Sequence, residues 1–113
     1  MNFSIKPLVG FKKEFNKLAK KYKKIEDDLS KVILELKENP KAGISIGHNC
    51  YKIRVANSSI PTGKSGGFRI IYYFLDKNSN LYLMNIYSKT QIDNISENEL
   101  LRLLKLNEIK SIT

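Results

Sequence analysis

Tyr51-Lys52-Ile53-Arg54-Val55-Ala56 alternates apolar and basic side chains, and a loop rich in Gly, Ser and Pro follows it from Asn57 to Gly66. Successive side chains of a strand point to opposite faces. Lys52 and Arg54 therefore share one face, and Tyr51, Ile53 and Val55 share the other. Two further β-branched and aromatic runs, Phe68 to Leu75 and Leu81 to Tyr87, flank a turn at Asp76-Lys77-Asn78-Ser79-Asn80 and read as a hairpin. Three strands in a row, the first alternating and the last two a hairpin, make the centre of the molecule an antiparallel sheet.

Upstream of this sheet the period changes to that of a helix. Leu8, Phe11, Phe15, Leu18, Ala19 and Tyr22 recur at spacings of three and four after Pro7, which suits a helix start. Ile25, Leu29, Val32, Ile33 and Leu36 form a second stripe. Glu26, Asp27 and Asp28 lie in its first turn, where the helix dipole favours negative charge, and Asn39-Pro40 ends it. The tight join predicts an antiparallel helical hairpin. Asn2 to Ile5 carries a weak strand signal. Downstream, Ser96 precedes Glu99 by three residues, a capping box, and Ile95 is placed to staple onto Leu100. Leu100, Leu103, Leu104 and Leu106 supply the apolar side of that last helix. The expectation is one α+β domain over residues 1–113, an N-terminal helical hairpin and a C-terminal helix packed on one face of an antiparallel sheet.

Composition narrows the function. The 113 residues are 42% apolar, enough to fill a core at this length. One cysteine makes no internal disulfide, and one His with one Cys makes a zinc site within one chain improbable, so no metal and no cofactor is expected. No apolar run approaches the ~20 residues of a membrane span, and Met1 to Gly10 is too polar for a signal peptide. A cytoplasmic location is the expectation.

Twenty Lys and Arg against 11 Asp and Glu give a net charge of +9, which favours polyanions or an acidic protein partner. The excess is uneven. Residues 1–47 hold 11 Lys and 6 acids, residues 48–95 hold 6 basic groups and 2 acids, and residues 96–113 balance at 3 against 3. The lysine-rich first helix suits RNA or a membrane surface, although such a face is more often simply solvated.

Several constellations invite chemistry. Thr62-Gly63-Lys64-Ser65 contains the Gly-Lys-Ser of a phosphate-binding loop. That motif wants a glycine where Ser58 stands, and a helix where a strand follows. His48 has the chemistry of a general base, but its Gly-rich surroundings offer no acidic group to orient it, and a loop histidine is the plainer reading. Cys50 reads as a small buried apolar residue.

The strands offer more. Lys52 and Arg54, roughly 7 Å apart, repel by about 2.4 kcal/mol at an effective dielectric of ~20. In a partly enclosed groove that repulsion suits Lys52 to accept a proton. Arg69 opens the next strand, and Tyr87 and Lys89 share a face near the end of the last. Side by side, these strands would gather Lys52, Arg54, Arg69, Tyr87 and Lys89 into a concave patch able to clamp a phosphoryl group and stabilise the charge of its transition state without metal. The pattern alone leaves a solvated basic sheet face equally open.

Cys50-Tyr51-Lys52-Ile53-Arg54-Val55, Gly63-Lys64-Ser65-Gly66-Gly67-Phe68-Arg69-Ile70-Ile71-Tyr72-Tyr73 and Ile86-Tyr87-Ser88-Lys89 together resemble the RelE/HigB toxins of bacterial type II toxin–antitoxin modules, in particular the HigB-type branch with a Gly-Lys-Ser-Gly-Gly loop. The resemblance spans nearly the whole chain. It implies a RelE/ParE-like fold and an mRNA interferase that cuts messenger RNA in the ribosomal A site by activating the ribose 2′-hydroxyl, with a cognate antitoxin, the ribosome and mRNA as partners. Lys52 and Arg54 match the family's basic strand pair, Arg69 the arginine that opens the next strand, and Lys89 a basic position after the last. Thr90 stands where the family often has a further Arg, and no late tyrosine is evident, so Tyr87 and Lys89 are the substitutes. Lys64 reads as a phosphate anchor for RNA and not as a catalyst. Two other activities compete: a ParE-like toxin that binds gyrase, and a basic RNA-binding domain without catalysis.

Overall fold

The structure is a computed structural model that describes residues 3–60, 67–77, 80–88 and 95–107. Among them run β1 (Ser4–Pro7), α1 (Val9–Lys21), α2 (Ile25–Glu38), β2 (Ile44–Gly47), β3 (Cys50–Val55), β4 (Phe68–Phe74), β5 (Asn80–Ser88) and α3 (Glu97–Leu106). The strands form one sheet in the order β1-β5-β4-β3-β2. Its three central strands are the antiparallel ones that the alternation predicts. The sheet as a whole is mixed, because β1 adds to β5 in parallel, Ser4 opposite Asn80 and Pro7 opposite Leu83.

The strand β2 is not legible in Ile44-Ser45-Ile46-Gly47, which is short and glycine-ended. Its partner β3 and the turn between them create it. Gly47, His48 and Asn49 take φ values of 90°, 55° and 61°, a run of left-handed residues that reverses the chain within a few positions. Gly and Asn tolerate that conformation best.

Packing splits the molecule by sheet face. Phe11 and Leu18 of α1 and Ile25, Val32 and Leu36 of α2 bury against Ile53, Val55, Phe68, Ile70, Tyr72 and Phe74. The side chain of Phe68 meets Tyr22 edge-on at 5.3 Å, and Tyr51 stacks on Tyr72 at 5.2 Å. The other face carries Cys50, Ile71, Tyr73, Met84 and Tyr87, with Leu100 and Leu104 of α3 packed on it. The helices thus lie on both faces, contrary to the expectation of one, since β4 presents apolar side chains in both directions and each face needs cover. Ser96 caps α3, its Oγ accepting from the Glu99 N–H at 3.1 Å, as the capping box predicts. Leu106, expected on the apolar side of that helix, is 65% exposed at its last position.

One irregularity decides what the sheet presents. Tyr72 lies opposite Leu83 and Ile71 opposite Asn85, so Met84 is an extra residue in β5, a β-bulge. Leu81 and Leu83 face α1 and α2 before it, and Ile86 faces them after it. A bulge shifts the alternation by one. Without it, Tyr87 would share the face of Leu81 and Leu83; with it, Tyr87 turns to the α3 side.

Candidate phosphate-handling site

The register of β3, β4 and β5 sets Arg54 opposite Arg69 and Arg69 opposite Tyr87. Directly opposed residues point to the same face, and neighbouring strands lie about 4.8 Å apart, so the three form a row roughly 10 Å long. Lys52 stands two positions back on the same face, opposite Ile71. Four of the residues singled out in the sequence are therefore brought together, at the end of this face away from Cys50 and Tyr73. Lys64 and Lys89 lie outside the described residues, as does the Thr62-Gly63-Lys64-Ser65 motif.

The members differ in exposure. Arg54 is exposed and Lys52 half-buried, whereas Arg69 is 7% exposed and Tyr87 3%. A buried guanidinium needs hydrogen-bond acceptors, and Arg69 donates from Nη1 to the Phe68 carbonyl at 3.1 Å. Like charges directly opposite one another destabilise a strand pair. The fold accepts that cost at Arg54 and Arg69. A doubly charged anion such as a phosphodiester in its pentavalent transition state offsets it, and two guanidinium forks match phosphoryl oxygens in geometry. A groove of about 500 Å³ between α1, β5 and α3 shares Tyr87 but includes neither Lys52, Arg54 nor Arg69. The sheet row and that groove are separate features.

The other candidates fall away on geometry. His48 sits in the β2–β3 turn, its Nε2 3.6 Å from Glu97 at the start of α3. That is the opposite end of the sheet from Arg69. Cys50 is fully buried, and burial pushes its thiol up to about 12, so a reactive thiolate is absent at neutral pH. Among the described residues no three His, Cys, Asp or Glu side chains cluster as metal ligands.

One supporting role escaped the sequence reading, which placed Asp28 only among the acids of the first turn of α2. Asp28 is 4% exposed and accepts from both the N–H (3.0 Å) and the hydroxyl (2.7 Å) of Ser58. Ser59 Oγ accepts from the Lys24 N–H at 2.9 Å, and Asn57 Oδ1 from the Ser59 N–H at 3.0 Å. This polar knot ties the stretch after β3 to the start of α2, four residues beyond Arg54. The signal was available: Asp28 follows Ile25 by three and precedes Val32 by four, so a carboxylate stands on the buried stripe.

A helical hairpin on one face of a mixed five-strand sheet, a third helix on the other and a cationic row beside it define a small α+β protein. Residues 9–111 match the family described as the RelE toxin of the RelE/RelB toxin–antitoxin system, and the chain belongs to that family. Solved structures agree in fold. An arginine-to-alanine double mutant of Escherichia coli toxin RelE in the free state is similar with a TM-score of 0.62 at 19% identity, over 94% of this chain and 98% of that one. The same toxin mutant in complex with a peptide of the antitoxin RelB gives 0.55 at 19% identity over 100% of both chains. The toxin–antitoxin complex of intact E. coli RelBE gives 0.54 at 20% identity, over 74% of this chain and 93% of that one. None of the described helices is long and apolar enough to cross a membrane.

Proposed function

We propose that this chain is a ribosome-dependent mRNA endoribonuclease of the HigB-type branch, one toxin domain over residues 1–113, acting in the cytoplasm and restrained by a cognate antitoxin. The observation that carries the reading is the register row Arg54–Arg69–Tyr87 with Lys52 beside it. In the proposed reaction the 2′-hydroxyl of a ribose loses its proton and attacks the adjacent phosphorus. The bond to the 5′-oxygen of the next nucleotide breaks, and that oxygen takes up a proton. The products are a 2′,3′-cyclic phosphate and a 5′-hydroxyl. Arg54 and Arg69 hold the non-bridging oxygens as negative charge grows on them. Proton transfer falls to Lys52, Tyr87 and Lys89, and Lys64 anchors a flanking phosphate. When the ribosome positions the RNA, orientation alone supplies up to ~7–11 kcal/mol of the barrier, which is why a site without a His–carboxylate pair suffices.

The test is Arg69→Ala, with primer extension on a messenger after induction. Removing one preorganised charge donor costs about 100–1000-fold in rate, so A-site cleavage and growth arrest disappear while the protein stays folded. Undiminished toxicity in a well-expressed Arg69→Ala variant overturns the reading. Growth arrest without messenger cuts but with gyrase inhibition replaces it with a ParE-like activity.

A further inference from the structure

The second helix carries an apolar stripe that the core does not use. At about 100° per residue, Glu26, Ser30, Ile33 and Lys37 fall within an arc of roughly 60°, at successive spacings of four, three and four along α2. Leu29 and Leu34 flank that arc, one on each side, about 70° from its middle. The buried apolar residues of the helix, Ile25, Val32 and Leu36, centre about 110° away from it. Leu34 is 64% exposed, Leu29 and Ile33 are half-buried, and Glu26, Ser30 and Lys37 are exposed. A groove of about 340 Å³ runs along Leu29, Ser30, Ile33, Leu34 and Lys37. It continues into one of about 490 Å³ that shares Leu29, Ile33 and Lys37 and reaches Phe3 and Ile5 beside β1. Among the described residues neither Glu26 nor Lys37 takes part in an ion pair.

We infer that this stripe is the interface of a weak homodimer, in which α2 of one copy packs antiparallel on α2 of another. The order of residues along it is self-complementary. A two-fold contact brings residue i against j and j against i. With the axis midway between Lys31 and Val32, Glu26 stands opposite Lys37 of the other copy and Ser30 opposite Ile33, each pair occurring twice. The seam thus ends in opposite charges and is apolar or small at its centre. A parallel pairing instead sets Glu26 against Glu26 and Lys37 against Lys37, which repel. Ser30 admits a close approach, because its hydroxyl already donates to the Glu26 carbonyl at 2.9 Å and loses no partner as water leaves. Leu29 and Leu34 close the two sides of the seam, as flanking positions do in coiled coils. Polyanions suit the stripe poorly. The exposed charges of α2 are the acids Glu26, Asp27, Glu35 and Glu38 against Lys31 and Lys37, a balance that repels phosphate backbones and anionic lipid surfaces.

Three turns of helix bury less than a standard interface, so the association is weak, and sedimentation equilibrium of the full chain from about 5 to 500 µM reads it. A monomer–dimer equilibrium is expected. Leu34→Glu, at a largely solvent-exposed position, is expected to abolish it at an unchanged melting temperature. Glu26→Lys sets like charges opposite each other twice and is expected to weaken the dimer roughly tenfold, as is Lys37→Glu. The decisive variant carries Glu26→Lys and Lys37→Glu together. It reverses both pairs and restores the association of the parent, which exchanging charges within one chain does only when the partner is a second copy. A chain that stays monomeric at every concentration overturns the inference. So does a dimer that Leu34→Glu leaves intact, or a double variant that associates no better than the single ones. Association is read without RNA, so its outcome and that of the messenger-cleavage test are separate results.

Discussion

The two faces of the central sheet are built from the same strands and obey different rules. On the α1–α2 side, Phe68, Ile70, Tyr72 and Phe74 meet a continuous apolar surface from two helices. On the α3 side, Ile71 and Tyr73 are covered by Leu100 and Leu104, and the row from Arg54 through Arg69 to Tyr87 lies beyond them. One face is optimised for packing. The other sets two like charges opposite each other across β3 and β4, an arrangement that costs strand pairing and suits an anion. The difference teaches that stability and the proposed chemistry of this protein are separable by residue parity, and adjacent positions in β4 test it most sharply.

Phe68 and Arg69 are that pair. Phe68 is fully buried, and replacing a core Phe with Ala costs about 3–5 kcal/mol. Urea denaturation of Phe68→Ala should show a loss of that size, a large share of the stability of a domain this small, and activity should fall only as far as the folded fraction does. Arg69→Ala should do the reverse. Similar stability losses in both variants would erase the distinction between the faces.

A second contrast comes from alkali. Burial pushes the Cys50 thiol on the α3 side and the Tyr72 hydroxyl on the α1–α2 side each up to about 12, from ordinary values of 9.0 and 10.0. Both hydrogen-bond as neutral groups: Tyr72 donates to the Pro40 carbonyl at 2.7 Å and accepts from the Gly43 N–H at 3.1 Å. Because the folded values are raised, the fold binds these protons more tightly than the unfolded chain does. The stability they contribute is intact below pH 9 and is lost as pH climbs through 12. A melting temperature that is flat from pH 6 to 8 and falls steeply between 9 and 12 is expected, with Cys50→Ala delaying the onset towards pH 10.

Much of this molecule was legible because periodicity is a local property. The helical stripes and the three central strands follow from residue spacing, and the Ser96 cap from a four-residue motif. What was not legible depends on partners distant in sequence. β1, only weakly signalled at Asn2 to Ile5, is completed by the edge that β5 offers, and β2, which had no signal, by β3. Face assignment of Tyr87 required the bulge at Met84, and nothing in Leu81-Tyr82-Leu83-Met84-Asn85-Ile86-Tyr87 announces one. The bases of the proposed site, Lys52, Arg54 and Arg69, were readable from alternation. Their convergence was not, because register is set by the pairing and not by either strand alone.

Asp28 sharpens the comparison from the α1–α2 side. Its carboxylate holds Ser58 by two hydrogen bonds, just beyond the strand that carries Lys52 and Arg54. Asp28→Ala removes the charged acceptor of both Ser58 hydrogen bonds, and a hydrogen bond to a charged group is worth about 2 kcal/mol. Denaturation should show that loss. Growth arrest should weaken by more than the unfolded fraction explains, because the end of β3 is no longer fixed.

The smallest effect is the most discriminating. Arg54 is exposed and opposes Arg69 across the β3–β4 pair, so Arg54→Thr removes a like-charge contact and adds a residue that strands favour. Cross-strand pairs of this kind are worth roughly 0.2–1 kcal/mol, and the variant should gain about that much stability. Its messenger cleavage should fall by at least about tenfold, since one of the two guanidinium groups facing the phosphate is gone. A gain in stability together with a loss of activity is the signature of charges held together against the preference of the fold. If Arg54→Thr loses stability instead, the two arginines are supporting the sheet, and the cationic row is a structural feature of β3 and β4.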